Sequence, residues 1–95
     1  MVADLSFALI KETARGLINR FSEAQTTQEK CAIGVEMLQF YMREDVFQRL
    51  ILDHEKFRKT VRGKCMEWMD EEKSTDQLKD HCLEMLVKLD NEVAV

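Results

Sequence analysis

The side chains best suited to acid–base chemistry in this sequence are consecutive: Asp53, His54 and Glu55. A carboxylate and an imidazole can act together in proton transfer only when both side chains reach the same reacting group of the substrate. Successive residues of a helix point about 100° apart, so these three side chains would not converge. The same residues suit the start of a helix, with Asp53 as the N-cap and Glu55 in the first turn. We therefore predict no catalytic residue and no enzyme activity.

Cys65, His81 and Cys82 are the candidates for metal ligands. Structural zinc sites usually have four ligands, with two cysteines two to four residues apart, and no Cys-x-x-Cys pair occurs in this sequence. His81 and Cys82 are neighbours in a predicted helix, a spacing that makes it difficult for both to bind one ion. Free cysteines among apolar residues pack as small apolar side chains. We expect neither a metal site nor a cofactor.

The composition places these residues in a small helical domain. The 95 residues include no proline and three glycines, and 45% are hydrophobic. Apolar residues recur every three or four positions along most of the chain, which indicates helices. We predict an all-α fold, a small bundle of four to five antiparallel helices. Residues 1–95 are expected to form one domain, either a whole protein or a piece excised from a larger one.

Charge and cysteine content restrict the surroundings of the protein. The formal net charge of −4 does not favour binding to nucleic acid. No run of about 20 apolar residues is present, so we expect no membrane span. Cys31, Cys65 and Cys82 are odd in number and widely spaced, which is more typical of free thiols than of disulfides. A reducing compartment, the cytoplasm or the nucleus, is therefore the predicted location.

The helices can be placed from their apolar stripes and their caps. The first is predicted over residues 3–24, and the second begins at the capping box of Thr26 and Glu29. The second helix is apolar on most faces, so we place it at the centre of the bundle. Asp45 is a candidate cap for a short helix over residues 45–52, which could also join the next helix, and Asp53 for a helix over 54–72. Ser74 and Gln77 match a capping box for the last helix.

Three glycines fall inside these predicted helices. A glycine within a helix costs about 1 kcal/mol relative to alanine, so a packing reason for each is expected. We predict that Gly63 allows a close helix crossing, and that Gly16 and Gly34 have the same explanation.

The most concentrated charge lies in the predicted fourth helix, where five cations occur within residues 56–64. On a helix these side chains spread over the outer face and form a basic surface on an acidic protein. Such a surface can be solvated and partly neutralised by nearby carboxylates, or it can select an acidic protein partner. Met66, Trp68 and Met69 follow directly. Met66 and Trp68 point about 200° apart on a helix, so at least one large apolar side chain should be exposed.

We accordingly predict a non-catalytic protein–protein interaction module in which a groove between helices receives a helical or acidic peptide. The predicted partner-binding residues are Lys56, Arg58, Lys59, Arg62, Met66 and Met69. The alternative is a homodimerisation domain with a structural role, in which surplus apolar residues such as Leu9 and Ile18 are buried between two copies.

Overall fold

The computed structural model describes residues 2–93 of the chain, and the side chains of residues 7–92. This described part consists of helices without any β-strand and confirms the predicted all-α bundle. The elements are α1 (Val2–Glu23), α2 (Thr27–Tyr41), α3 (Glu44–Val46), a π-helical segment (Phe47–Leu52), α4 (Glu55–Asp70) and α5 (Asp76–Val93).

One of the predicted helix caps is confirmed, and the others are wrong by one or two residues. At the start of α2, the Glu29 amide donates to Thr26 Oγ1 at 3.1 Å, and the Thr26 amide donates to Glu29 Oε1 at 3.2 Å. At α5, the Leu78 amide donates to Thr75 Oγ1 at 3.1 Å, so Thr75 replaces the predicted Ser74. Adjacent Ser and Thr residues are equivalent as cap candidates in sequence, and the path of the incoming loop selects between them.

The caps predicted at Asp45 and Asp53 are also corrected by the structure. Arg43 precedes α3, and Asp45 lies inside it, accepting from the Val46 amide at 2.9 Å. Helix α4 follows His54, whose side chain makes no capping hydrogen bond, while Asp53 ends the π-helical segment. The correction at Asp53 arises from the π-helical segment, because Asp53 caps the end of that segment and so cannot start α4.

The π-helical segment settles whether residues 45–52 form a separate element. It ends at Leu52 and is joined to α4 by Asp53 and His54, so the two are distinct helices. Its buried residues Phe47, Leu50 and Ile51 face the core together with Val46 of α3. The Arg58 Nη1 atom on α4 donates to the Leu52 carbonyl at 2.8 Å. This bond satisfies a carbonyl that the end of the helical segment leaves without an intrahelical donor.

Helix α2 lies at the centre of the bundle, as predicted from its apolar faces, and packs against α1, α5 and the π-helical segment. Helices α1 and α2 run antiparallel, and so do α4 and α5. Helices α2 and α5 run in the same direction, because Gln39 approaches His81 while the Cys31 thiol approaches the Lys73 carbonyl. Helices α1 and α4 make few close backbone contacts, so the bundle stays partly open between them.

The close helix crossing predicted for the glycines exists at Gly34. A Cβ atom on Gly34 would lie 3.1 Å from Leu78 Cδ1 and 3.4 Å from Trp68 Cζ3, so the indole and the leucine rest on the bare backbone of α2. The prediction is wrong for Gly16 and Gly63, where an added Cβ would meet nothing within 4 Å. Both glycines are exposed, so neither is needed for a close approach of two helices.

This difference gives a stability prediction. Replacing Gly63→Ala should raise the free energy of unfolding by about 1 kcal/mol, because alanine favours a helix and nothing obstructs its methyl group. Replacing Gly34→Ala should lower it by about 1 kcal/mol, because displacing Trp68 and Leu78 outweighs the helix propensity gained. Urea denaturation followed by circular dichroism measures both. Equal stabilisation by the two substitutions would contradict the close packing at Gly34.

Candidate functional site

An open cavity of about 340 Å³ lies where the bundle fails to close, between α1 and α4. We call it the α1–α4 groove. Helix α2 forms its floor. Its lining residues are Ile18, Phe21 and Ser22 of α1, Lys30, Met37, Leu38 and Tyr41 of α2, and Phe57, Thr60, Val61, Lys64, Cys65 and Trp68 of α4.

Two aromatic contacts join the walls of the groove. Near the start of both helices, the Phe7 ring stacks on the His54 ring with centroids 5.7 Å apart. Near their ends, the Phe21 ring meets the Trp68 ring at 5.4 Å. Phe7 and Phe21 are fourteen positions apart, and so are His54 and Trp68. This separation corresponds to about 21 Å at 1.5 Å per residue. The groove therefore lies between two helices that run in the same direction and touch through aromatic side chains.

Charge in the α1–α4 groove comes from two lysines. Of the described residues that line it, Lys30 and Lys64 are cationic and none is a carboxylate. The Lys30 ammonium lies 5.9 Å from the centroid of the Phe21 ring. The Lys64 ammonium lies 3.2 Å from Glu67 Oε1, in an ion pair whose two side chains are about half exposed. Such exposed pairs contribute little to stability, so Lys64 can exchange its partner at small cost.

A second cavity of about 360 Å³ continues beyond the Phe21–Trp68 contact. It shares four residues with the α1–α4 groove: Phe21, Lys30, Lys64 and Trp68. Its other lining residues are more polar and include Glu67, Glu71 and Lys73. The two lysines of the groove therefore stand at the boundary between an apolar cavity and a polar one.

Two titratable groups contribute to the apolar lining. Tyr41 packs edge-on against the Phe57 ring with centroids 5.5 Å apart, and burial raises the pKa of Tyr41 to about 12. Cys65 is fully buried and hydrogen-bonded to Cys82 of α5. That hydrogen bond, together with burial, raises the pKa of the Cys65 thiol above its usual value. Both groups are therefore neutral at physiological pH and add no charge to the groove.

The cations predicted to bind a partner are largely engaged within the protein. Arg58 binds the Leu52 carbonyl, as described above. Arg62 Nη2 lies 2.9 Å from Asp90 Oδ1 and links α4 to α5. Lys59 Nζ lies 3.2 Å from Glu55 Oε2, and Lys56 is exposed. Arg58 and Arg62 therefore join α4 to its neighbours, whereas the Lys59 pair lies within α4.

The two predicted methionines lie away from the α1–α4 groove. Met66 is 58% exposed, which confirms that an apolar side chain of this segment faces solvent, and Met69 is half-buried. Helical spacing puts both on the flank of α4 that carries Arg62 and faces α5, whereas Thr60 and Lys64 occupy the opposite flank. None of the six predicted partner-binding residues lines the groove. Their role in binding stays a prediction.

Sequence reasoning did not select the residues that line the groove. Phe21, Tyr41 and Trp68 are apolar residues of predicted helices, and their spacing does not distinguish them from residues of the core. The large number of apolar residues on α2 was a signal that could have indicated the groove. One of these residues, Met37, is half-buried and lines the groove. Lys64 belonged to the basic segment, whereas Lys30 stood in no notable pattern.

The residues considered for catalysis and metal binding make separate contacts in the structure, apart from the pair of Cys65 and Cys82. The His54 ring lies against Phe7, and His81 Nε2 lies 3.4 Å from the Gln39 amide nitrogen. Cys65 and Cys82 do meet across α4 and α5. Within the described part of the chain, no three metal-ligating side chains come together. The described helices also include none with the length and apolar character needed to cross a membrane.

Burial of Tyr41, the single tyrosine of the chain, gives a pH prediction. Its pKa rises from 10.0 in the unfolded chain to about 12 in the folded protein. The neutral phenol therefore stabilises the fold fully below pH 10, and this contribution falls as pH rises from 10 to 12 because the unfolded state ionises first. The loss should reach about 3 kcal/mol.

The matched variant is Tyr41→Phe, which keeps the aromatic ring and removes the ionisable group. Urea denaturation of both proteins between pH 9 and pH 12 should show a steeper loss of unfolding free energy in the wild type. Lysine deprotonation affects both proteins equally and cancels in the comparison. Identical pH dependence would show that Tyr41 is not buried as described.

Comparison with known proteins supplies no relative from which a function could be transferred. No family model matches the chain, and no curated protein or solved structure does so either. The chemistry and geometry of the α1–α4 groove are therefore the basis for proposing a function.

Proposed function

We propose that this protein is a non-catalytic interaction module that binds a peptide segment of another protein in the α1–α4 groove. The observation that carries the proposal is an open apolar concavity walled by two helices, with lysines as its charged lining. Its volume of about 340 Å³ suits a few side chains of a partner. A partner of mixed apolar and acidic character would complement both parts of the lining.

The residue types that line the groove suit the binding of a partner. Water in contact with its apolar lining costs about 25 cal/mol for each Å² of surface, and a partner that covers this surface recovers that free energy. Phe21 and Phe57, both half-buried, supply aromatic surface to a partner, and the buried Tyr41 and Trp68 form the inner wall behind them. Met37 adds a flexible side chain that can adapt to a partner.

The location proposed for this function is the cytoplasm or the nucleus. All three cysteines are buried and unpaired. Free thiols in all three positions are consistent with a reducing compartment, where the partner would also be found.

Homodimerisation is the second candidate, and it is favoured by apolar exposure outside the groove. Leu83 and Val87, one turn apart on α5, are 51% and 50% exposed, and Leu9 is 64% exposed. The interaction proposal expects a monomer of 11.2 kDa over a hundredfold dilution by light scattering. A stable species of twice this mass that is lost in a Leu83→Glu/Val87→Glu variant would assign the α5 surface to self-association.

A substitution that fills the groove tests the main proposal. Ser22 is exposed and lines the groove, so Ser22→Trp should occupy its mouth without disturbing the core. Peptides selected from a yeast-displayed random library against the wild-type protein should bind this variant at least about tenfold more weakly, a loss of about 1.4 kcal/mol.

The control is Asn19→Trp, which adds the same side chain to an exposed position of α1 outside the lining. Binding to this control should equal binding to the wild type. Circular dichroism confirms that both variants fold. Selected peptides that bind all three proteins equally would place the binding surface elsewhere, and a library that yields no binders would remove support for a peptide-binding groove.

A further inference from the structure

We propose that the segment bound in the α1–α4 groove is an amphipathic helix whose apolar stripe fills the cavity and whose carboxylate pairs with Lys30 and Lys64. The inference rests on the proposed function and specifies the partner's conformation, its length and the position of its charge. It also assigns the selection of acidic partners to the two lysines of the groove instead of the basic surface of α4.

The lining of the groove favours a helix over an extended peptide. An extended segment would bring its backbone N–H and C=O groups against walls of Ile18, Val61 and Leu38, which offer no hydrogen bond. Each backbone group desolvated without a partner carries a free-energy cost. A helix satisfies these groups internally and presents apolar side chains at i, i+3, i+4 and i+7. The described part of the protein also has no β-strand whose edge an extended peptide could join.

The aromatic contacts set the length of the segment. The Phe7–His54 and Phe21–Trp68 contacts lie about 21 Å apart along the walls, which corresponds to about 14 helical residues or four turns. The cavity itself is too small for a whole helix. The partner helix would therefore lie along the opening between α1 and α4, with two or three large side chains inserted toward Leu38 and Tyr41 on the floor.

The position of the lysines sets the position of the partner's carboxylate. Lys30 comes from α2 and Lys64 from α4, and both border the Trp68 end, where the apolar cavity meets the polar one. A carboxylate there would lie beside two ammonium groups and next to aromatic rings, where lower solvent exposure strengthens the attraction. Glu67 can release Lys64, because their ion pair is exposed. The apolar stripe would then extend toward Phe57.

The basic surface predicted from the sequence is less suited to this selection. Arg62 is paired with Asp90 at 2.9 Å, and Lys59 is paired with Glu55 at 3.2 Å. Arg58 holds the end of the π-helical segment. A partner carboxylate at Arg58 or Arg62 would have to compete with contacts that join α4 to its neighbours. Lys59 could leave its exposed pair as easily as Lys64, but Lys56 and Lys59 do not line the apolar cavity.

Charge reversal at the groove, with a matched reversal outside it, tests the inference. The probe is a yeast-displayed library of 14-residue helical peptides with all surface positions randomised. It is sorted separately against the wild type, Lys30→Glu/Lys64→Glu and Lys56→Glu/Lys59→Glu. The two double variants carry the same net charge, and Lys56 and Lys59 lie outside the groove lining.

The inference expects wild-type binders to contain an apolar i, i+3, i+4, i+7 stripe bordered at one end by Asp or Glu. Their affinity should fall at least tenfold on Lys30→Glu/Lys64→Glu and less than threefold on Lys56→Glu/Lys59→Glu. Wild-type binding should weaken with added salt, and this dependence should be reduced in the groove variant. Sorting on the groove variant should enrich Lys or Arg at the same peptide position.

Other outcomes separate the two proposals. Binders that are blocked by Ser22→Trp but carry no acidic residue, or that lose affinity mainly on Lys56→Glu/Lys59→Glu, overturn this inference and leave the peptide-binding function intact. Binders without helical periodicity overturn the helical part. Binders unaffected by Ser22→Trp, or a library without any binder, overturn both the inference and the proposed function.

Discussion

The contact of Trp68 with the backbone of α2 at Gly34 is the constraint on which the bundle depends. Because Gly34 has no side chain, the indole of α4 and Leu78 of α5 both reach the central helix at this point. The indole also meets the Phe21 ring of α1, so it contacts both α1 and α2. A larger side chain on α2 would push α4 and α5 outward together, since these two helices are joined along their length by contacts such as Arg62–Asp90.

The α1–α4 groove follows from the same arrangement. The pairs α1–α2, α2–α5 and α5–α4 pack closely, whereas α1 and α4 meet mainly through aromatic side chains. Bulky rings at these two contacts keep the helix backbones apart and leave a cavity between them. The apolar lining is thus a consequence of how the bundle is spaced.

The distribution of charge shows how tertiary structure changes the meaning of a sequence pattern. The cations of residues 56–64 form the most evident charged segment, yet Arg58 and Arg62 make contacts that join α4 to the rest of the protein. Lys30, isolated in sequence, is brought beside Lys64 by the packing of α2 near α4, and both line the same two cavities. Local charge density therefore indicated a basic surface but not the cations that border an apolar cavity.

The sequence by itself determined the helices, since a 3.6-residue period and the Thr26–Glu29 capping box act over one or two turns. It also determined that α2 contacts several neighbouring elements and that a large apolar side chain in the segment of Met66 faces solvent. Tertiary structure decided the π-helical segment, the cap at Thr75, which glycine permits a close crossing, and the position of the groove. These features depend on the distances between helices remote in sequence, such as Phe21 to Trp68, and no local periodicity contains those distances.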